Sequence, residues 1–192
     1  MIIFITGPSG SGKTTLTFQL RTEYTNVLVI DTDDIDDTNA LKLLDGKPIK
    51  SQKDVDKFLS TKEQMNAITL GDLINNNRDI IILGMTIIPK KMDHRFCIKI
   101  DYPTLYKQVY TRSFTSIGSQ LDNINKMLQQ DISVYKKDLL LVYQYKLRKC
   151  VPEMPYNDIS KLTQYYSKMK KRNFKVGTVD FIKDKISKLL KV

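Results

Sequence analysis

An apolar, β-branched run at the start of the chain, Ile2, Ile3, Phe4 and Ile5, stops abruptly at a loop holding Gly7, Gly10 and Gly12, and a helical pattern then begins at Lys13. Residues 7–14, GPSGSGKT, satisfy every fixed position of the pattern G-x-x-x-x-G-K-[ST]. The residue types follow from what such a loop must hold. Glycines allow successive backbone N–H groups to point into one anion-binding nest, and the helix that follows turns its positive dipole end to the same point. A polyphosphate fits there, with Gly7, Pro8, Ser9, Gly10, Ser11, Gly12, Lys13, Thr14 and Thr15 around it. Amides of residues 9–13 would hold the phosphates, Lys13 would reach the outer ones, and the Thr14 hydroxyl would hold Mg²⁺, with Thr15 a neighbour.

The expected helix over 13–24 carries Leu16, Leu20 and Tyr24 on one face. The run VLVID at 27–31 then reads as a strand buried on both faces of a parallel sheet. A strand, a helix and a second strand in this order imply a right-handed crossover and an open sheet whose ligands gather at the carboxyl ends of the strands. At that end stand Asp31, Thr32, Asp33 and Asp34. In an extended segment Asp31 and Asp33 share one face, while Asp34 faces elsewhere or starts the next helix. One carboxylate of the pair can hold Mg²⁺ through water and the other can accept the proton of an attacking hydroxyl.

These residues resemble those of the P-loop kinase group, which includes nucleoside and nucleotide kinases, shikimate kinase, gluconate kinase and polynucleotide 5′-kinase. The string VIDTDDI at 29–35 is similar to the Asp-Thr-Asp segment of shikimate kinase. The resemblance implies a three-layer α/β P-loop NTPase fold with a mostly parallel sheet of about five strands. It implies ATP and Mg²⁺ as cofactors, Thr14 and Asp31 on the metal, and Asp33 on the acceptor. In the polynucleotide and antibiotic kinases an Asp at the same strand end acts as base, which keeps Asp34 a rival. Family members carry a lid arginine on the helix after the fourth strand, and Arg112 matches that place. With Lys13 and Asp33 it completes the expected catalytic set, neutralising charge on the transferring group.

The segment 36–78 is polar and helix-like, and in the related kinases it caps the acceptor site. An arginine there often grips the acceptor, but none occurs here between Arg21 and Arg78. Residues 80–84, IIILG, form a third expected strand, ending in a glycine that lets substrate or backbone approach closely. The acidic residue that ends this strand in motor-type P-loop ATPases is absent, and so is the LSGGQ signature. A fourth strand is expected over 95–101, a lid over 113–130, a helix over 131–150, a break at 151–156, a helix over 157–171, a short strand over 174–176 and a closing helix over 178–190. Lys126, Arg148 and Lys149 are further candidates for phosphate contact. His94 reads as an incidental loop residue.

One domain over 1–192 is expected from the length and the 41% hydrophobic content. No apolar run reaches membrane-spanning length, and Met1 is followed by no basic region, so neither a membrane span nor a secretory leader is expected and the cytoplasm is the expected place. Two cysteines, Cys97 and Cys150, make neither a disulfide framework nor a zinc pattern. The net charge of +10 lies mostly at one end: residues 131–192 hold 15 basic against 6 acidic side chains. That asymmetry is compatible with a phosphate-attracting surface and a nucleic-acid partner, but 25 Lys against only 6 Arg, the better reader of phosphates and bases, weakens the nucleic-acid reading. The expected function is transfer of the ATP γ-phosphoryl group to a hydroxyl or phosphate of a small acceptor, a nucleoside, nucleotide or related metabolite. The alternatives are a polynucleotide 5′-hydroxyl kinase and a nucleotide-binding regulatory module or slow NTP hydrolase.

Overall fold

In a computed structural model of the chain, five strands form one sheet in the order β2-β3-β1-β4-β5, and every pairing is parallel. The structure describes residues 1–44, 52–85, 87–111, 118–130, 137, 140, 144 and 158–190. The strands are β1 (Ile2–Thr6), β2 (Leu28–Asp31), β3 (Ile80–Leu83), β4 (His94–Ile98) and β5 (Lys175–Gly177). Helices among the described residues are α1 (Lys13–Glu23), α2 (Thr32–Leu44), α3 (Gln52–Asn76), α4 (Tyr102–Thr111), α5 (Gly118–Leu128), α6 (Ile159–Lys171) and α7 (Val179–Leu190). This is the three-layer α/β arrangement with β1 at the centre.

Side-chain alternation along β1 distributes the two cores. Ile3 and Ile5 face the layer made by α1 and α7, where they meet Leu16, Leu20, Ile182 and Ile186. Phe4 points to the opposite face, with Leu70 of α3, Leu105 of α4 and Tyr166 of α6. Both faces of β3 are covered, so all four of its residues are buried, and an unbroken apolar run is the only sequence that satisfies that position. Tyr166 is buried there, and its hydroxyl accepts from Ile100 N–H at 3.0 Å and donates to Ile100 O at 3.2 Å.

Several boundaries differ from expectation. His94 opens β4 instead of lying in a loop, and β4 ends at Ile98. The fifth strand is one residue later than 174–176. In the helix-like 36–78 region the described residues belong mainly to α2 and α3, which pack on each other through Ala40 and Phe58. The larger correction is at Thr32, where α2 begins at once, so Asp31 and Asp33 do not continue an extended segment. The Asp31 side chain causes this, because its Oδ1 accepts the Asp33 N–H at 3.1 Å and so takes up a first-turn donor of the helix.

Candidate active site

The loop between β1 and α1 is held by its own backbone. Ser11 N–H donates to Pro8 O at 3.1 Å, and the Lys13 ammonium donates to Gly7 O at 2.9 Å and Pro8 O at 3.0 Å. Gly10 and Gly12 have φ of +81° and +88°, a region that costs residues with a Cβ. A Cβ at Gly10 would also stand 2.9 Å from Val109 Cγ2. Gly12 is the N-cap of α1, so no side chain caps this helix, and its first turn contains no acidic residue. The orphan N–H groups and the positive end of α1 are therefore left for an anion from outside the chain.

Around this helix end is a cavity of about 200 Å³ lined by Ser9, Gly10, Gly12, Lys13, Thr14, Thr15, Asp33 and Met85. Long-range folding thus brings Asp33, from the start of α2, opposite the Lys13 loop. Gly7, Pro8 and Ser11 shape the loop from behind, outside the described lining. Asp33 is exposed as a residue, yet partial burial of its carboxyl in this concavity, followed by the nearby Asp31 carboxylate, raises its pKa above the ordinary 3.8, with Lys13 pulling the other way.

Asp31 and Asp34 occupy different surroundings. Asp31 is 6% exposed and does not line the cavity; besides capping α2, its Oδ2 lies 3.5 Å from the Thr17 hydroxyl. Thr17 has one hydroxyl proton to share between Asp31 and Lys13 O, which is nearer at 3.0 Å. Asp34 points to solvent and pairs with Arg21 at 2.8 Å. Of the three carboxylates, only Asp33 faces the cavity.

For Mg²⁺ the relevant donors are hard oxygens. The Thr14 hydroxyl and the Asp33 carboxylate share the cavity, while among the described residues no three His, Cys, Asp or Glu side chains converge as a metal cage. Such a donor set fits a cation that keeps several waters and takes further ligands from phosphates.

Gly84 was expected to admit substrate or backbone; what approaches it is the Thr32 side chain from the neighbouring strand end. A Cβ there would lie 2.0 Å from Thr32 Oγ1. Met85, which follows, is a cavity residue that the motif pattern does not reveal; its only sequence signal is its position just past the end of β3. Lys62, one of the lysines in the arginine-free region, is committed to Asp36 at 2.8 Å and is 7% exposed. Lys126 is exposed on α5 and outside the described lining of the cavity. Arg112, Arg148, Lys149 and Cys150 lie outside the described residues, as do 113–117 of the expected lid and most of 131–157. Cys97 is fully buried, and burial pushes its thiol up to about 11, so it is inert at neutral pH. No described helix is long and apolar enough to cross a membrane.

No protein-family model matches the chain, and no curated protein matches it in sequence. Solved structures do resemble it. An uncharacterized protein from Eubacterium ventriosum is 14% identical with a TM-score of 0.44, the match covering 100% of this chain and 98% of that one. A shikimate kinase from Acinetobacter baumannii, in complex with shikimate, is 16% identical over 90% of this chain and 93% of its own, with a TM-score of 0.38. A gluconokinase from Sinorhizobium meliloti is 15% identical over 82% and 77%, with a TM-score of 0.29. The chemistry of the site rests on its own residues rather than on these likenesses.

Proposed function

We propose that the chain is a P-loop kinase that transfers the γ-phosphoryl group of Mg·ATP to a hydroxyl or phosphate of a small acceptor, a nucleoside, nucleotide or related metabolite. The observation that carries this reading is the placement of the Asp33 carboxylate in the same cavity as Lys13 and the uncapped start of α1. A phosphate chain would take over the orphan N–H groups of the loop and compete with Gly7 O and Pro8 O for the Lys13 ammonium. Mg²⁺ would be held by Thr14 and, through water, by Asp31, and would draw charge from the phosphate oxygens.

Asp33 supplies what a phosphate-binding loop lacks. Its ionised carboxylate accepts the proton of an acceptor hydroxyl while the oxygen bonds to the γ phosphorus and the bond to the β-phosphate oxygen breaks, leaving ADP. Asp34 is the weaker candidate for base because Arg21 holds it outside the cavity. In this reading α2 and α3 cap the acceptor, and Arg112 neutralises charge on the transferring group.

A transfer screen with γ-labelled ATP and Mg²⁺ tests the proposal, with nucleosides, nucleotides, hydroxy metabolites and 5′-hydroxyl oligonucleotides offered in parallel. Label on a small acceptor, lost in Lys13→Ala, supports it. Label found only as free phosphate, unaffected by any acceptor, makes the chain a slow hydrolase or regulatory module instead. The basic last turn of α6, Lys168, Lys170 and Lys171 followed by Arg172, favours one second reading, a 5′-hydroxyl polynucleotide acceptor. That reading requires oligonucleotide affinity that falls steeply with salt.

A further inference from the structure

Parallel strands β3 and β4 flank β1, so residues 84–93 must cross over β1. Such crossovers are usually made by a helix within a connection of about a dozen residues or more. The described residues of this one contain no helix. A cavity of about 390 Å³ lies there, between β1, the connection and α6. That volume falls within the range of small-molecule sites, roughly 300–1,000 Å³.

The cavity has a direction. Its floor is aromatic, with Phe4 and Phe174 packed edge to face at 6.1 Å beside Tyr165. Ile88 and Met92 of the connection and Met169 of α6 add apolar walls. At one end stand Thr6 and Met85, and Met85 also lines the phosphate cavity, so the two spaces adjoin. At the other end are Arg95 and Arg172. Arg95 sits on β4 level with Phe4, and its Nη1 donates to Arg172 O at 3.3 Å. Asn173, at φ +62°, ends α6 in a left-handed cap that turns the chain from Arg172 to Phe174. Among the described residues no Asp or Glu lines this cavity.

We propose that this cavity binds the phosphoryl acceptor, and that the acceptor is a small molecule with a flat, apolar body and an anionic group at the end remote from the reacting one. The anion, a carboxylate or a phosphate ester, is held by Arg95 and Arg172. Strands rise about 3.3 Å per residue, so Thr6 and the level of Phe4 and Arg95 are separated by roughly 7 Å, a span that a six-membered ring with substituents at opposite ends covers. These arginines supply the acceptor grip that the arginine-free helices α2 and α3 do not. The orientation of the acceptor rests on the kinase reading above; the binding of an apolar anion does not.

The test is a methionine-methyl NMR titration of the full chain, which has seven methionines. The probes are benzoate, phenyl phosphate and the neutral benzyl alcohol. One or both acids should shift the methyls of Met92 and Met169, and binding should weaken by about tenfold or more in the double variant Arg95→Gln, Arg172→Gln. Tighter binding of benzoate points to a carboxylate acceptor and of phenyl phosphate to a phosphate ester. Arg172 is exposed, so Arg172→Gln alone serves as a variant with little risk to folding, and it should weaken binding in the same direction. Acids that shift neither methyl, or bind both variants as tightly as the parent, overturn the assignment. So does benzyl alcohol binding as tightly as the acids. If the acids bind as expected and no acceptor takes label from ATP, the kinase reading fails and the site stands. If label reaches an acceptor with unchanged KM in the double variant, the kinase reading stands and this site falls.

Discussion

Asp31 ends β2 with its carboxylate turned onto the next residues of the chain, whereas Asp33, already in the first turn of α2, presents its own to the space in front of Lys13. Changing Asp33 to Asn keeps the shape and removes the proton acceptor. Turnover should fall by about 10²–10⁴-fold while ATP affinity changes little, and steady-state kinetics beside nucleotide titration checks both. An unchanged turnover would remove Asp33 from the chemistry. Because the carboxylate must be ionised to act, the acid limb of kcat/KM should lie above 3.8, the ordinary Asp value, and vanish in Asp33→Asn. The same raised pKa has a signed effect on stability. The native protein holds this proton to higher pH than the unfolded chain, so Asp33 adds stability in acid and loses it as pH rises through its folded pKa. The melting temperature of Asp33→Asn minus that of the parent should therefore increase as pH rises from below 3.8, the ordinary Asp value, through the raised folded pKa. A difference that shrinks over that range would contradict the burial of the carboxyl.

The elements carry these residues through contacts that join distant parts of the chain. Where β2 and β3 end side by side, Thr32 fills the space that Gly84 leaves open. Gly84→Ala drives a methyl into Thr32 and should cost about 1–3 kcal/mol in urea unfolding, because an overpacked site must shift backbone to relieve itself. The start of α2 is further fixed from α3. Asn39 Nδ2 donates to Asn66 Oδ1 at 2.9 Å, Asn66 Nδ2 donates to Asp36 Oδ1 at 2.7 Å, and Lys62 pairs with the same carboxylate. Asn66 is 3% exposed and Asn39 1%, so their groups depend on each other rather than on water. Asn66→Ala leaves buried donors and acceptors unmade and should lower stability by about 1–3 kcal/mol, read as a lower urea midpoint at unchanged slope. On α1 the absent cap works the other way: a helix start without a side-chain partner leaves its N–H groups to a ligand.

At the scale of the molecule, a ligand seated on that helix start should stabilise the whole fold. ATP with Mg²⁺ at a hundred times its Kd should add about 2.7 kcal/mol, and Lys13→Ala should abolish most of the shift in melting temperature. Much of the architecture was legible in the sequence. Strand, loop and helix in residues 1–23 are local patterns: apolar runs buried on both faces, glycines where φ is positive, and helical spacing of Leu16 and Leu20. The strands around residues 28–31 and 80–83 were readable to within a residue for the same reason. The start of α2 was misjudged because the acidic cluster looks the same whether its Asp caps a helix or prolongs a strand, and only the Asp31 to Asp33 hydrogen bond distinguishes them. Sequence alone determined that this chain makes a parallel sheet with a glycine-rich loop between β1 and α1, since those properties depend on neighbours a few residues apart. Tertiary structure alone decided that Asp33 faces the loop while Arg21 draws Asp34 away, that Thr32 occupies the gap at Gly84, and that a cavity opens over β1. Each depends on the register of strands and helices far apart in the chain, which no local periodicity records.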